Sequence, residues 1–290
     1  MRRERRALWW MVGPFVVGAL ALVVVPAAVT LALALFDHDL IRSPRWVGFG
    51  NFADLVDDDI FRISLRNSMA FAAIAVPLRL GGALALALLL QHRRRGYGAY
   101  RAAAFLPTVV PDVAYGLVWL WLLNPLYGPV NLVLDAVGAP TPSWLTEPAA
   151  AQAAVIVMSL FTVGEGFLIL LAARAAIPGE VYDLGRLDGA GAWPLFRRVT
   201  LPYVAPTLAL LAARDTIFAF QASFVPALVV TDGGPPPFST TYLPVFVYRN
   251  AFEYLRYGYA AAATVVMLGV TVLMLVAQAG ILRRHRLLWG

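Results

Sequence analysis

Residues 181–202 read VYDLGRLDGAGAWPLFRRVTLP. The stretch carries Asp183, Arg186, Asp188, Arg197 and Arg198, yet long apolar runs lie on either side of it. Val181, Leu184, Leu187 and Asp188 recur at helical spacing with polar residues between them. Gly189 and Gly191 then provide a place for a helix to end and reverse. Trp193, Leu195, Phe196 and Val199 begin a second amphipathic piece that leads into Leu201-Pro202. The spacing predicts a helix–glycine–helix knob with exposed apolar residues, the form of a docking surface.

The rest of the chain explains why such a knob is unusual. Of 290 residues, 60% are hydrophobic and only 14% charged, against about a quarter charged in a soluble domain. This is the composition of an all-α polytopic membrane protein, read as a single domain over residues 1–290. Six apolar stretches are long enough to span, at roughly 8–36, 69–90, 103–123, 150–173, 203–229 and 258–282. The N-terminal MRRERRALWW precedes an apolar run too long for a signal peptide, so it reads as an uncleaved first span. There is no cysteine, which excludes disulfides and thiolate chemistry. Three histidines without helical pairing predict no metal site.

Every base is an arginine. With both termini cytoplasmic, the inner segments hold Arg2, Arg3, Arg5, Arg6, Arg93, Arg94, Arg95, Arg101, Arg174, Arg186, Arg197, Arg198, Arg283, Arg284 and Arg286. The outer loops hold Arg42, Arg45, Arg62, Arg66, Arg249 and Arg256. That asymmetry is a topology signal rather than a nucleic-acid footprint. It puts the quoted stretch, within a loop over 174–202, on the cytoplasmic side of the membrane.

The stretch resembles the EAA loop of the permease subunits of bacterial ABC importers. Asp183-Leu184-Gly185 stands where Glu-Ala-Ala would be, Gly189 follows at the family offset, and Val199-Thr200-Leu201-Pro202 closes the motif. The flanking Ile177-Pro178-Gly179-Glu180 and Asp188-Gly189-Ala190 match as well. The departures are Asp for Glu and the loss of both alanines, with Gly185 weakening the helix by up to about 1 kcal/mol relative to Ala. The resemblance extends along nearly the whole chain, through 47–71, 100–131, SWLTEP (143–148), TDGGP (231–235) and 252–266, and is strongest to carbohydrate importers of the maltose and glycerol-phosphate type.

Membership implies the type I importer permease fold, a path for a sugar, and no enzymatic activity in this chain. ATP and Mg would be bound by two partner ATP-binding subunits, since no P-loop occurs here and there is no lysine to fill one. A second permease subunit and an extracytoplasmic solute-binding protein complete the implied assembly, within membrane lipid and without nucleic acid. The coupling contacts would come from Tyr182, Leu184 and Leu187, rimmed by Asp183, Arg186 and Asp188, with Gly185, Gly189, Leu201 and Pro202 shaping the loop.

Ionisable groups inside spans cost at least about 2.5 kcal/mol near the bilayer centre and normally face protein or water. The candidates are Arg79, Asp112, Glu165, Arg214 and Asp215. They either pair to lock helices together or line a substrate path. Arg214 and Asp215, adjacent on a helix, should point about 100° apart and serve different partners. By motif offset, the resemblance matches the sugar-lining positions of the maltose-type permease to Thr108, Asp112, Phe161, Thr162, Glu165, Thr216, Phe220 and Ser223, with Gln221 a neighbour. The competing reading is a secondary transporter with a carboxylate proton relay. Asp57-Asp58-Asp59 reads as a solvated turn without the ligand spacing of a calcium loop. Trp46, Trp144 and Tyr242 read either as contacts for a binding protein or as interfacial anchors.

Overall fold

The computed structural model describes residues 2–39, 41–91, 95–236 and 238–284. Arg93, Arg94 and Arg286, used in the orientation reading, lie outside them. Helices Trp9–Leu33, Asp59–Leu89, Ala192–Val230 and Tyr257–Leu282 are each long and apolar enough to cross a membrane. Two bent pairs meet the same test, Tyr97–Val109 with Asp112–Leu122 at 103° and Pro148–Phe161 with Gly164–Ala175 at 44°. With each pair taken as one crossing, the described residues hold six spans, numbered below in chain order. The all-α expectation holds, with one small exception among the described residues. Strand β1 (Phe36–Asp37) pairs antiparallel with β2 (Arg45–Trp46), Phe36 opposite Trp46.

The chain packs as two compact units, Met1–Arg62 with Phe246–Leu268, and Ile63–Val245 with Gly269–Gly290. In the first unit Asn51 ties the end of span one to the ribbon, its Nδ2 donating to the carbonyls of Ala34 (2.9 Å) and Phe36 (3.0 Å). Span two begins at Asp59, ten residues before the apolar run that marks it in the sequence. The reason is a cap. Asp58 Oδ1 accepts the N–H groups of Ile60 (2.8 Å) and Phe61 (3.0 Å), satisfying the first-turn donors. Its Oδ2 accepts the Tyr259 hydroxyl at 2.7 Å.

In the second unit the spans depart most from uninterrupted helices. Span three breaks because Pro111 forces Val110 out of the helical region, to ψ 130°. Span four breaks at Thr162 and Val163, both near the bridge region, with φ −99° and −86°. Span five, by contrast, begins upstream of the loop's end and runs through Pro202 and Pro206 without stopping. The turn at Phe196–Thr200 widens so that the Leu201 N–H reaches back to the Phe196 carbonyl, which accommodates the missing proline donor just beyond.

Two apolar clusters anchor this unit. One joins Phe167, Leu170, Ile177, Tyr182, Leu195 and Val204, with Ala83 and Ala87 of span two packed among them. The other joins Trp119, Leu123, Ala154, Met158 and Val230. The segment after span five is tied by hydroxyls, Thr231 to Thr240 (2.5 Å) and Thr241 to the Gly233 carbonyl (2.8 Å). Tyr242 is 2% exposed and packs on Phe71, so it is a core residue rather than an interfacial anchor. Trp144 is held by Asn131 at 2.7 Å, and Trp46 alone of the three is strongly exposed.

Candidate functional site

Between the halves of the broken spans lies a cavity of about 330 Å³, entirely within the second unit. Span three contributes Thr108 and Asp112 from the two sides of its break. Span four contributes Ser159, Thr162 and Glu165 across its own break, span five contributes Arg214, Asp215 and Gln221, and span two contributes Arg79. Helix breaks in a membrane protein free backbone groups that only protein or a polar cavity can satisfy, so breaks and cavity belong together.

Arg79 shows how the satisfaction is achieved. Its Nη1 donates to the Ser159 carbonyl (2.5 Å) and to Thr162 Oγ1 (2.8 Å), and its Nη2 to the Thr162 carbonyl (3.2 Å). These are acceptors at the C-terminal end of the first half of span four, where a cation is favoured by the helix dipole. Its Nε donates to Asp215 Oδ2 at 3.2 Å. Asp215 also lies 3.5 Å from Arg214 Nη1, and Arg214 Nη2 pairs with Glu165 Oε2. Two arginines and two acids therefore form one neutral chain across spans two, four and five. Arg214 and Asp215 have different principal partners, Glu165 and Arg79, as expected of adjacent positions, and the long Arg214 side chain also links the two pairs into one network. Asp112 stands outside the chain, in the first turn of its helix, where the dipole favours a carboxylate.

The eight positions expected to line a path are thus divided. Thr108, Asp112, Thr162 and Glu165 line the cavity. Phe161 turns away and packs edge-on against Trp119. Thr216 is fully buried, donating to the Ala212 carbonyl (2.8 Å) and accepting from Gln278 Nε2 (2.5 Å). Phe220 and Ser223 are buried outside the lining. Gly164 was not singled out by any sequence signal, yet a side chain there would strike Thr108 Oγ1 and come within 2.7 Å of Phe105 Cα.

The loop is a helix, Gly179–Leu187, a reversal with Gly189 at φ +77°, and a second helix opening at Ala192. Leu184 and Leu187 point outward, 64% and 83% exposed, with Trp193 at 68%. Asp183 and Arg186 pair on the surface at 3.0 Å. Tyr182, expected among the outward contacts, faces inward, its hydroxyl 2.8 Å from Thr200 Oγ1 and the Arg174 guanidinium 4.1 Å above its ring. Gly185 has a packing reason, since a Cβ there would lie 2.6 Å from Leu195 Cδ2. Phe in place of Tyr182 should strip Thr200 of its partner and cost about 1 kcal/mol, read as a lower thermal midpoint of the purified protein.

Comparison with known proteins identifies the family. The family of binding-protein-dependent transport system inner membrane components matches residues 80–287, from span two through the loop to span six. The chain belongs to that family. This permease is 31% identical over 278 residues to a probable ABC transporter permease, YesP, of Bacillus subtilis, covering 94% of this chain and 89% of the relative. It is 34% identical over 241 residues to the diacetylchitobiose uptake system permease NgcF of Streptomyces coelicolor, covering 79% and 68%. Its fold is similar to a chain of the bacterial alginate ABC transporter, with TM-score 0.84, 22% identity, and 97% and 96% coverage. Permeases of this family are transport components rather than enzymes, and this one is a multi-pass inner-membrane protein.

Proposed function

We propose that this permease forms the translocation path for a saccharide in an ATP-driven, binding-protein-dependent importer, and that the 178–202 loop is where a separate ATPase grips it. The observation that carries this reading is continuity of packing. The loop residues Tyr182 and Leu195 share one apolar cluster with Phe167 and Leu170 of the half-span that bears Glu165, and with Leu211 of the helix that bears Arg214. A displacement imposed on the loop is therefore carried by close-packed side chains to the cavity wall. The relative that takes up diacetylchitobiose supports a saccharide, and the cavity's carboxylates, hydroxyls and arginines suit a ligand rich in hydroxyl groups.

In this reading both termini are cytoplasmic and the assembly holds this chain, a second permease subunit, two ATP-binding subunits carrying ATP and Mg, and an extracytoplasmic binding protein. Leu184 and Leu187 would enter the ATPase, with Asp183, Arg186 and Asp188 as the ionic rim and Gly185, Gly189, Leu201 and Pro202 setting the loop's shape. Of the path positions, Thr108, Asp112, Thr162 and Glu165 would meet the sugar, while Phe161, Thr216, Phe220 and Ser223 would support them from behind.

Leu187→Asp tests the docking. Because the side chain is exposed, insertion and folding should be unchanged, while loss of a central apolar contact should lower binding-protein-stimulated ATP hydrolysis about tenfold or more. Stimulated hydrolysis at the wild-type rate would overturn the assignment. Uptake that follows the proton gradient and ignores ATP would instead favour a secondary transporter.

A further inference from the structure

The two ion pairs in the cavity wall are built differently. Arg79 and Asp215 have side chains only 17% and 9% exposed, whereas Arg214 and Glu165 are 28% and 53% exposed. A guanidinium offers five N–H donors in a rigid fork. Arg79 commits one to Asp215 and three to acceptors of Ser159 and Thr162. Those acceptors are gathered around Arg79 because span four is bent by 44° at that point. If the span straightened, the Ser159 and Thr162 carbonyls would return to the N–H groups four residues on, and Arg79 would lose these two of its four acceptors. The bend and the two carbonyl contacts of Arg79 therefore exist together. Arg214 has no such commitment. It meets Glu165 and Asp215 through its charge, and its guanidinium lies 4.7 Å over the Phe218 ring on the cavity wall.

We propose that Arg79 is a positioning residue for transport, a pin that holds span four bent at Thr162, and that Arg214–Glu165 beside it is the exchangeable pair that opens to admit the solute. The division of labour follows from donor count and burial. The pinned arginine presents Thr162 Oγ1 and the start of the second half-span, hence Glu165, to the cavity. The exchangeable pair offers a cationic donor and an anionic acceptor, which adjacent hydroxyls of a polyol satisfy by donating to Glu165 and accepting from Arg214. The proposal rests on the reading of the cavity as the saccharide path.

The test uses the full importer, this chain with its partner permease, ATPase and binding protein, in proteoliposomes. Uptake of labelled diacetylchitobiose and a panel of neutral disaccharides is measured for Arg79→Gln, Arg79→Lys and Arg214→Gln. The chain contains no cysteine, so spin labels at Ala153→Cys and Ala172→Cys report the bend of span four directly. Arg214→Gln should raise KM about tenfold, the effect of one charge-assisted hydrogen bond, with the label distance unchanged. Arg79→Gln should lower the maximal rate about tenfold or more and broaden the label distance toward a straighter span. Arg79→Lys, which folds with the charge kept, should fail to restore either, because an ammonium cannot reproduce the fork. An unchanged distance in Arg79→Gln, or full recovery in Arg79→Lys, would overturn the pin. A KM unaffected by Arg214→Gln would overturn the exchangeable pair. If the wild-type importer takes up no saccharide, the proposed function fails instead, and the label distances still decide the pin.

Discussion

Alanine at Gly164 should collapse the junction between spans three and four and reduce uptake more than tenfold. The added Cβ would meet backbone, Phe105 Cα at 2.7 Å and the Ala104 carbonyl oxygen at 2.9 Å, besides the Thr108 hydroxyl. A flexible side chain could swing aside, but a helix backbone cannot do so without dragging the cavity lining with it. Overpacking of this kind costs about 3 kcal/mol at the severe end. The cost falls on the contact that sets Thr108 against the start of the half-span bearing Glu165. Gly166, two residues on, is the control. Its Cβ would sit 3.7 Å from Ala83 Cβ, ordinary contact distance, so Gly166→Ala should change both thermal stability and uptake little. Thermal unfolding of the purified subunit, with uptake in proteoliposomes, separates the two. Equal effects from both substitutions would mean that helix propensity, not the junction, is being measured.

Valine at Gly189 should uncouple the loop. Here there is room, since no atom would lie within 4 Å of an added Cβ, but φ is +77°. A β-branched residue in the left-handed region is strained by about 1–2 kcal/mol, enough to shift the reversal between the two loop helices. The Gly189 N–H bonds the Arg186 carbonyl at 3.0 Å and the Ala190 N–H bonds the Gly185 carbonyl at 2.9 Å, so the reversal is what closes the first helix. Membrane insertion should persist and transport should be lost, with ATP hydrolysis no longer stimulated by the binding protein. Transport at the wild-type rate in this variant would remove the loop from the coupling mechanism.

The loop was the most legible part of the molecule. Amphipathic spacing over 181–188 and the glycines that follow correspond to a real helix and a real reversal. Tyr182, which the family resemblance suggested as an outward contact, faces inward, because a motif match does not record that a hydroxyl at position 200 waits to receive it. In the membrane, charge was the useful signal. Each of Arg79, Asp112, Glu165, Arg214 and Asp215 stood out by its desolvation cost, and all five line the cavity. The uncharged positions fared less well, for Phe161, Thr216, Phe220 and Ser223 carry no such cost and their facing depends on how each helix is rotated.

Composition and periodicity by themselves determined an all-helical chain of about six crossings with a polar loop between the fourth and fifth, because lipid demands apolar length and helical order from any segment that crosses it. Only the tertiary structure decided where span four breaks and which charges pair. A break is stable only where something distant in sequence satisfies it. Arg79 lies eighty residues before the Ser159 carbonyl it caps and 136 before its Asp215 partner, and no local pattern records a match made across that distance.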